Sequence, residues 1–266
     1  MLCDSHIHCA FSSDSTTDPV KIIEKSISLG ISKIWFTDHC DMDYPDHDDL
    51  FVLDFPSYFQ ALKKLQSDYH SQIQIFIGVE MGLQPHLANR IQTIVESYPF
   101  DFVIGSTHTV SRKDPAFPSF YQNQSIEEGL HSYFQEIFQN LSSTNFYDTC
   151  AHLDYAVRYL PNKDQDFHLE KYMPDIELIL QYLIQQDKSL EVNTGGFRCG
   201  LGRTNPGTKI LERYYELGGT NITLGSDAHT PEYLAANFEE VASTLAHIGF
   251  DHFCIYENRQ KINIPF

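Results

Sequence analysis

Two histidines separated by one residue, His6 and His8, stand in the segment DSHIH. On a strand, residues two apart project to one face, so two imidazoles at this spacing can grip one ion. Further donors recur down the chain: His39 in FTDHCD, Glu80 in IGVE, His108 in IGSTH, His152 in CAHLD, and Asp227 with His229, again two apart, in LGSDAH. Asp14, in the stretch after the first pair, is a further candidate. A lone His or Glu of this kind is ordinarily a surface group or a satisfied core residue. Here six of the 13 histidines, with two acids, fall within a residue or two of the end of a strand-like run. Imidazoles and carboxylates converging from many strands suit a divalent ion, and the joint placement points to a metal centre. The other histidines (His47, His70, His86, His131, His168, His247 and His252) lie mainly in helix-like or loop stretches and are read as ordinary.

The elements that must carry these groups alternate. Short runs rich in Ile, Val, Phe and Tyr at 2–7, 33–37, 73–79, 101–105, 147–151, 189–193 and 221–226 read as strands buried on both faces. Longer amphipathic stretches, roughly 19–30, 57–71, 85–97, 126–143, 171–187, 207–218 and 232–247, read as helices. Asp18-Pro19 and Thr230-Pro231 each set a capping side chain before a proline at the first helical position. Gly30 and Gly218-Gly219 stand where helices should end. Strict alternation implies parallel strands and right-handed crossovers, hence a barrel or a doubly wound sheet. The segment FCIYENRQKI is expected to add a strand, and with neither repeat nor linker the chain is read as one domain, 1–266. The connections 38–56 and 107–125 are longer than a barrel needs, and each follows or contains a ligand-type residue, where such folds build their sites.

Composition narrows the partners. Of 266 residues, 18 are Lys or Arg and 36 Asp or Glu, a formal net charge of −18 that disfavours nucleic acid and anionic membrane surfaces. Hydrophobic residues at 42% supply ample core for a folded protein. The N-terminus lacks the pattern of a secretory signal, and no apolar run approaches a membrane span, so a cytoplasmic location is expected. The six cysteines are scattered without a CxxC pair, and no disulfide framework is expected.

Taken in order, DSHIH, the His39 of FTDHCD, the Glu80 of GVE, the His108 of GSTH, the His152 of AHLD and the closing SDAH resemble the PHP (polymerase and histidinol phosphatase) superfamily across residues 4 to 229. The resemblance implies a distorted (β/α)7 TIM-like barrel with a trinuclear centre of Zn, Mn or Fe at its C-terminal rim. It implies that His6, His8, Glu80 and Asp227 hold one ion, that Glu80 bridges to a second held by His108 and His152, and that Asp14, His39 and His229 hold a third. Many members carry His where this chain has Asp14, so two or three ions are expected. Asp227 and His229 would then stand as ligands nearest the reacting phosphate.

Clustered divalent ions suit phosphoester hydrolysis by a metal-bound hydroxide, and neither a G-x-S-x-G elbow nor a P-loop offers a covalent or nucleotide-cradling alternative. Arg158 and Arg198 are expected to clamp the phosphate, because a guanidinium fork matches its oxygens, and the resemblance supports both; Arg203 is a weaker third candidate. The loop DMDYPDHDDLFVLD, with six aspartates, is read as solvated, with recognition of a substrate cation as the competing role, and His47 is read with it. Asp38 and Asp154 are read as orienting ligand imidazoles, Cys9 and Cys40 as packing residues, and no side chain is assigned as general acid.

The resemblance implies an L-histidinol-phosphate phosphatase of histidine biosynthesis, acting on a small phosphomonoester as a monomer or homodimer. A PHP-type phosphodiesterase or nuclease on a small nucleotide, and a non-catalytic metal-stabilised barrel, stand as alternatives.

Overall fold

The computed structural model describes residues 1–45, 47 and 49–266. Seven runs of β-favouring residues form the barrel strands, joined by a two-residue addition. They are β1 (Cys3–Ile7), β2 (Lys33–Phe36), β3 (His39–Cys40), β4 (Gln74–Gly82), β5 (Phe102–Ser106), β6 (Thr149–Cys150), β7 (Ser189–Asn193) and β8 (Ile222–Gly225). Every pairing among them is parallel, and their spatial order is β1-β2-β4-β5-β6-β7-β8, with β3 on β4. A parallel bridge between Ile7 and Ala228 brings the first and last strands together, so the sheet is a nearly closed barrel. The fold is a single α/β domain of this kind, with seven principal strands as the sequence predicts.

Among the described residues eight helices accompany the strands: α1 (Pro19–Ser28), α2 (Phe55–Tyr69), α3 (Ala88–Ser97), α4 (Ile126–Ser143), α5 (Leu169–Gln185), the single-turn α6 (Gly195–Arg198), α7 (Thr208–Glu216) and α8 (Phe238–Ile248). Local chemistry starts several of them. Asp18 accepts from the Val20 amide at 2.9 Å ahead of Pro19, and Ser125 and Glu128 close a reciprocal capping box on α4. None of the described helices is long and apolar enough to cross a membrane.

Two expectations need correction. Thr230-Pro231 opens only a 3-10 turn over Pro231–Tyr233, and α8 starts at Phe238, after Asn237 in the left-handed region at φ 63°. Positive φ at Ala235 and Asn237 breaks the helical path between the two. The C-terminal segment forms an antiparallel hairpin, β9 (His252–Glu257) and β10 (Gln260–Pro265), rather than one strand. Its turn residues Asn258 and Arg259 both take positive φ, the twist a tight hairpin needs.

The hairpin lies at the N-terminal ends of the barrel strands. Trp35 Nε1 donates to the Tyr256 carbonyl at 2.7 Å, the Arg259 amide donates to Asp101 just before β5, and the Tyr256 hydroxyl meets Ser189 at the start of β7. The opposite, C-terminal rim is left for chemistry.

Candidate metal centre

Six of the described strands deliver their donors at or just beyond their C-terminal ends. His6 is on β1 with His8 just beyond it, His39 is on β3, Glu80 is near the end of β4, and His108, His152, Asp227 and His229 follow β5, β6 and β8. The pleat puts His6 and His8 on one side, and their Nε2 atoms are 3.0 Å apart. Gly225 is required beside them: a Cβ there would lie 2.4 Å from His6 Cβ and 2.6 Å from Glu191 Oε1. Asp227 itself sits in the left-handed region at φ 54°, a conformation uncommon outside glycine and found where side-chain placement is dictated by a site.

Glu80, fully buried, is the hub. Its Oε2 lies 3.2 Å from His6 Nε2, 3.3 Å from His8 Nε2 and 3.0 Å from His39 Nδ1. Its Oε1 lies 3.2 Å from His108 Nε2 and 2.9 Å from His152 Nε2, and accepts from Ser106 Oγ at 2.6 Å. Asp227 Oδ1 stands 3.5 Å from His8 Nε2 and 3.6 Å from His229 Nδ1, while Asp14 Oδ2 is 3.1 Å from His229 Nε2 and 3.5 Å from His39 Nε2. The structure thus brings all nine predicted ligands together.

The donor set fits divalent ions on two grounds internal to the fold. Although Glu80 Oε2 and His39 Nδ1 stand 3.0 Å apart, neither they nor the buried Asp41 Oδ2 make a well-directed hydrogen bond among the described residues, which costs free energy unless something else satisfies them. Three groups, His6-His8-Glu80, His39-Glu80-His108 and His8-His39-His229, each hold donor atoms within 4.8 Å of one another. The third differs from the sequence expectation by including His8, whose ring stacks 4.2 Å from that of His229.

Burial and charge pull the group in opposite directions. Burial alone would push the Glu80 carboxyl up, but the His6, His39 and His108 imidazoles outweigh it and hold the acid well below its ordinary value. Burial would likewise lower His6, yet Glu191 and Glu80 raise it well above its usual range, whereas burial and the neighbouring His229 and His39 drive His8 well below. The arrangement behaves as a carboxylate centre that demands positive charge around it.

Three carboxylates set the imidazoles. Glu191 Oε1 meets His6 Nδ1 at 2.5 Å, Asp41 Oδ1 meets His108 Nδ1 at 2.7 Å, and Asp38 accepts from Ser12 Oγ, which in turn meets His8 Nδ1 at 3.0 Å. Such partners fix the tautomer that leaves Nε2 free to ligate. Against the cost of burial, Asp41 falls to about 2, and His108 rises to about 10. Glu191 and Asp41 escape sequence reasoning, although the first is the one charged residue of the strand SLEVN, which reads as buried on both faces, a signal in itself. Replacing Glu191 by Gln is expected to weaken metal affinity about 10- to 100-fold, read by competition with a chromogenic chelator; an unchanged affinity would contradict the role.

Asp154 corrects an expectation. Its carboxylate faces away from the imidazoles and accepts from Arg203 Nη1 at 2.7 Å, Asn205 Nδ2 at 2.5 Å and the Gly207 amide. Asn205 Oδ1 accepts from Arg158 Nε at 2.8 Å, so Asp154 orients an arginine instead of a ligand histidine. Arg158 is completed by Asn193 Oδ1 at 3.1 Å and Asp227 Oδ2 at 3.3 Å, and Asn193 also donates to Glu191 Oε2. One buried hydrogen-bonded chain therefore runs from His6 to Arg158. Arg198, on α6, donates to the carbonyls of Ser226 and Asp227 and lies 3.5 Å from Asp227 Oδ2.

Arg203, the weaker phosphate candidate, does not reach the site. It is held by Asp154 and Asp164 and lies outside the cavity formed above the donors. Of the acidic loop, Asp43 pairs with His86 and Arg90, Asp54 caps α2, Asp49 and His47 are exposed, and Asp46 and Asp48 lie outside the described residues. Cys9 and Cys40 are buried, and burial raises both thiols, Cys40 to about 12, so neither offers a thiolate.

The cavity holds about 230 Å³. Its floor is His39, Glu80, His108, His152, Asp227 and His229; Arg158 and Arg198 stand at one side, and Tyr44, Phe51, Tyr155 and Tyr159 form aromatic walls.

The family model for the PHP domain matches residues 4–195. The chain belongs to the PHP family. A histidinol-phosphatase of Lactococcus lactis is 31% identical over 95% of this chain and 93% of its own length. The solved structure of a Lactococcus lactis histidinol phosphate phosphatase, complexed with Zn, L-histidinol and phosphate, superposes with a TM-score of 0.89 at 30% identity, covering 98% of both chains. A solved chain from Listeria monocytogenes shares the fold with a TM-score of 0.76 at 21% identity. The PHP chain described here is a metal-dependent phosphomonoesterase by the same relationship.

Proposed function

We propose that the chain hydrolyses L-histidinol phosphate to histidinol and inorganic phosphate with two to three divalent ions of Zn, Mn or Fe, in the cytoplasm. The observation that carries this reading is the union, in one cavity of about 230 Å³, of a His/carboxylate floor and two arginines on its rim. His6, His8, Glu80 and Asp227 would hold one ion, Glu80, His108 and His152 a second, and Asp14, His39 and His229 a third. Divalent ions bound there supply neutralisation of the phosphate oxygens and a lowered pKa for water.

The residues of the chain do the rest. Arg158 uses Nε and one N–H on each terminal nitrogen for Asn205, Asn193 and Asp227, which leaves two of its five donors for phosphate among the described residues. Arg198 adds a second guanidinium whose position is locked by two backbone carbonyls. Glu191, Asp41 and the Asp38–Ser12 pair keep His6, His108 and His8 in one tautomer, so these imidazoles need not reorganise as charge develops. The aromatic walls Tyr44, Phe51, Tyr155 and Tyr159 narrow the cavity.

The test is phosphate release by the metal-loaded protein. The rate constant kcat/KM for histidinol phosphate should exceed that for p-nitrophenyl phosphate by on the order of 100-fold, since charged hydrogen bonds to the substrate's nitrogen groups are worth about 1.5–3 kcal/mol each. Chelation should abolish the activity and added Zn, Mn or Fe restore it. Equal rates on both monoesters would overturn the substrate assignment, and faster cleavage of bis-p-nitrophenyl phosphate would favour the phosphodiesterase alternative.

A further inference from the structure

Among the described residues five carboxylates line the cavity, and four are engaged: Asp14, Glu80 and Asp227 among the imidazoles, and Asp41 on His108. The fifth, Asp114, is 6% exposed and has only neutral partners. Tyr44 Oη donates to its Oδ2 at 2.6 Å and the Ala116 amide to its Oδ1 at 2.7 Å, and no Lys, Arg or His is ion-paired with it among the described residues. A carboxylate has about four acceptor sites, so two neutral donors leave it unsatisfied. A buried carboxylate without a cation is costly, and burial does push this acid upward. Among the described residues His108 acts on it only from beyond ion-pair distance, and the fold holds it open to the cavity.

Its place in the cavity is defined by rings. From the floor the wall runs from His39 to Phe51, whose ring centroids are 5.3 Å apart, then to Tyr44, 5.0 Å further, and Tyr44 holds Asp114. Tyr155, 5.3 Å from His108 and 5.1 Å from His152, gives a second aromatic face. A substrate whose phosphate meets the floor and Arg158 would therefore lay its body between aromatic faces and bring its far end to Asp114.

We propose that Asp114, oriented by Tyr44, accepts a hydrogen bond from the imidazole N–H of the substrate and so sets its specificity. This rests on the histidinol phosphate reading above. In that molecule the amine sits on the carbon next to the phosphoester methylene, while the ring lies one methylene beyond. The ring is thus the group that reaches past Phe51 and Tyr44, and a planar heterocycle suits aromatic walls. A carboxylate can accept from both neutral imidazole and imidazolium, more strongly from the latter, and both are present near neutral pH.

The experiment compares wild type, Asp114→Asn and Tyr44→Phe, each metal-loaded, on three monoesters: histidinol phosphate, 3-(imidazol-4-yl)propyl phosphate, which has the ring at the same distance without the amine, and ethanolamine phosphate, which has the amine without the ring. Asp114→Asn should lower kcat/KM on both ring-bearing substrates about 10- to 100-fold, chiefly through KM, and Tyr44→Phe should do so less. Ethanolamine phosphate, lacking the group that Asp114 is proposed to hold, should lose less than about threefold, which also reports that the variant is folded. Equal losses on all three substrates, losses confined to the amine-bearing pair, or no loss would each overturn the proposal. Should wild type itself fail to prefer histidinol phosphate over ethanolamine phosphate, the function reading fails and the proposal with it; a wild-type preference that survives Asp114→Asn overturns the proposal alone.

Discussion

Replacing Glu80 by Gln is expected to lower kcat by on the order of 10³-fold and to cost the protein at least part of its metal content. The expectation follows from the number of groups that one carboxylate serves. Its two oxygens lie within 3.3 Å of nitrogens from His6, His8, His39, His108 and His152, so they address two donor clusters at once. A glutamine keeps the shape but loses the charge, and its amide must turn an N–H toward one cluster, where it can only repel a cation. Loss of about 4 kcal/mol of charge stabilisation in the transition state corresponds to the quoted factor. Metal analysis alongside steady-state kinetics checks it. A Gln variant with full metal content and a rate within about tenfold of wild type would show that Glu80 does not bridge.

The same residue shows what a sequence can and cannot display. Glu80 was visible because a parallel β/α repeat forces every strand end to one rim, so acids and imidazoles at strand ends converge whatever their distance along the chain. His6 and His8 were visible for the simpler reason that a pleat has a period of two. Glu191 obeys neither rule: it lies mid-strand in SLEVN, and only the barrel's closure through β8 and β1 carries His6 to its carboxylate. Asp41 was hidden among five other aspartates of its loop, where composition speaks for solvation and only the fold singles out the one facing His108.

Proximity in sequence misled at Asp154. Two residues from His152, it looked like that ligand's support, but the 3-10 turn from Tyr155 to Tyr159 carries the chain outward and the carboxylate turns to Asn205. Arg203 failed as a phosphate contact for a related reason, since its acidic partners Asp154 and Asp164 lie 49 and 39 residues away in the chain. The start of α8 was misplaced because a Thr-Pro pair signals only that a helical turn can begin. Whether the turn propagates depended on the backbone at Ala235 and Asn237.

Arg158 carries the second large effect, and Arg158→Lys should lower kcat/KM on the order of 10²- to 10³-fold despite keeping the charge. The side chain is 6% exposed, and three of its donors are fixed by Asn205, Asn193 and Asp227. A lysine ammonium is a point donor and cannot hold all three acceptors while offering two parallel N–H groups to a phosphate, so the oxygens of Asn193 or Asn205 are left unsatisfied as well. About 3 to 4 kcal/mol is a reasonable sum for one charged bidentate contact and one buried orphan acceptor. Inhibition by inorganic phosphate should weaken in step with KM for the substrate. Metal content separates this role from a structural one. Burial pushes the Asp227 carboxyl up, but His6, Arg198, Arg158 and His229 hold it well below its ordinary value, and a lysine at position 158 keeps a positive charge nearby, so the carboxylate stays ionised to ligate. The Lys variant should therefore keep its metals while losing phosphate affinity. Asp154→Ala, which releases Asn205 and so loosens Arg158 without touching the cavity, should reproduce the same pattern at smaller amplitude. If activity and metal content instead fall together in both variants, Arg158 serves chiefly to hold Asp227 in place.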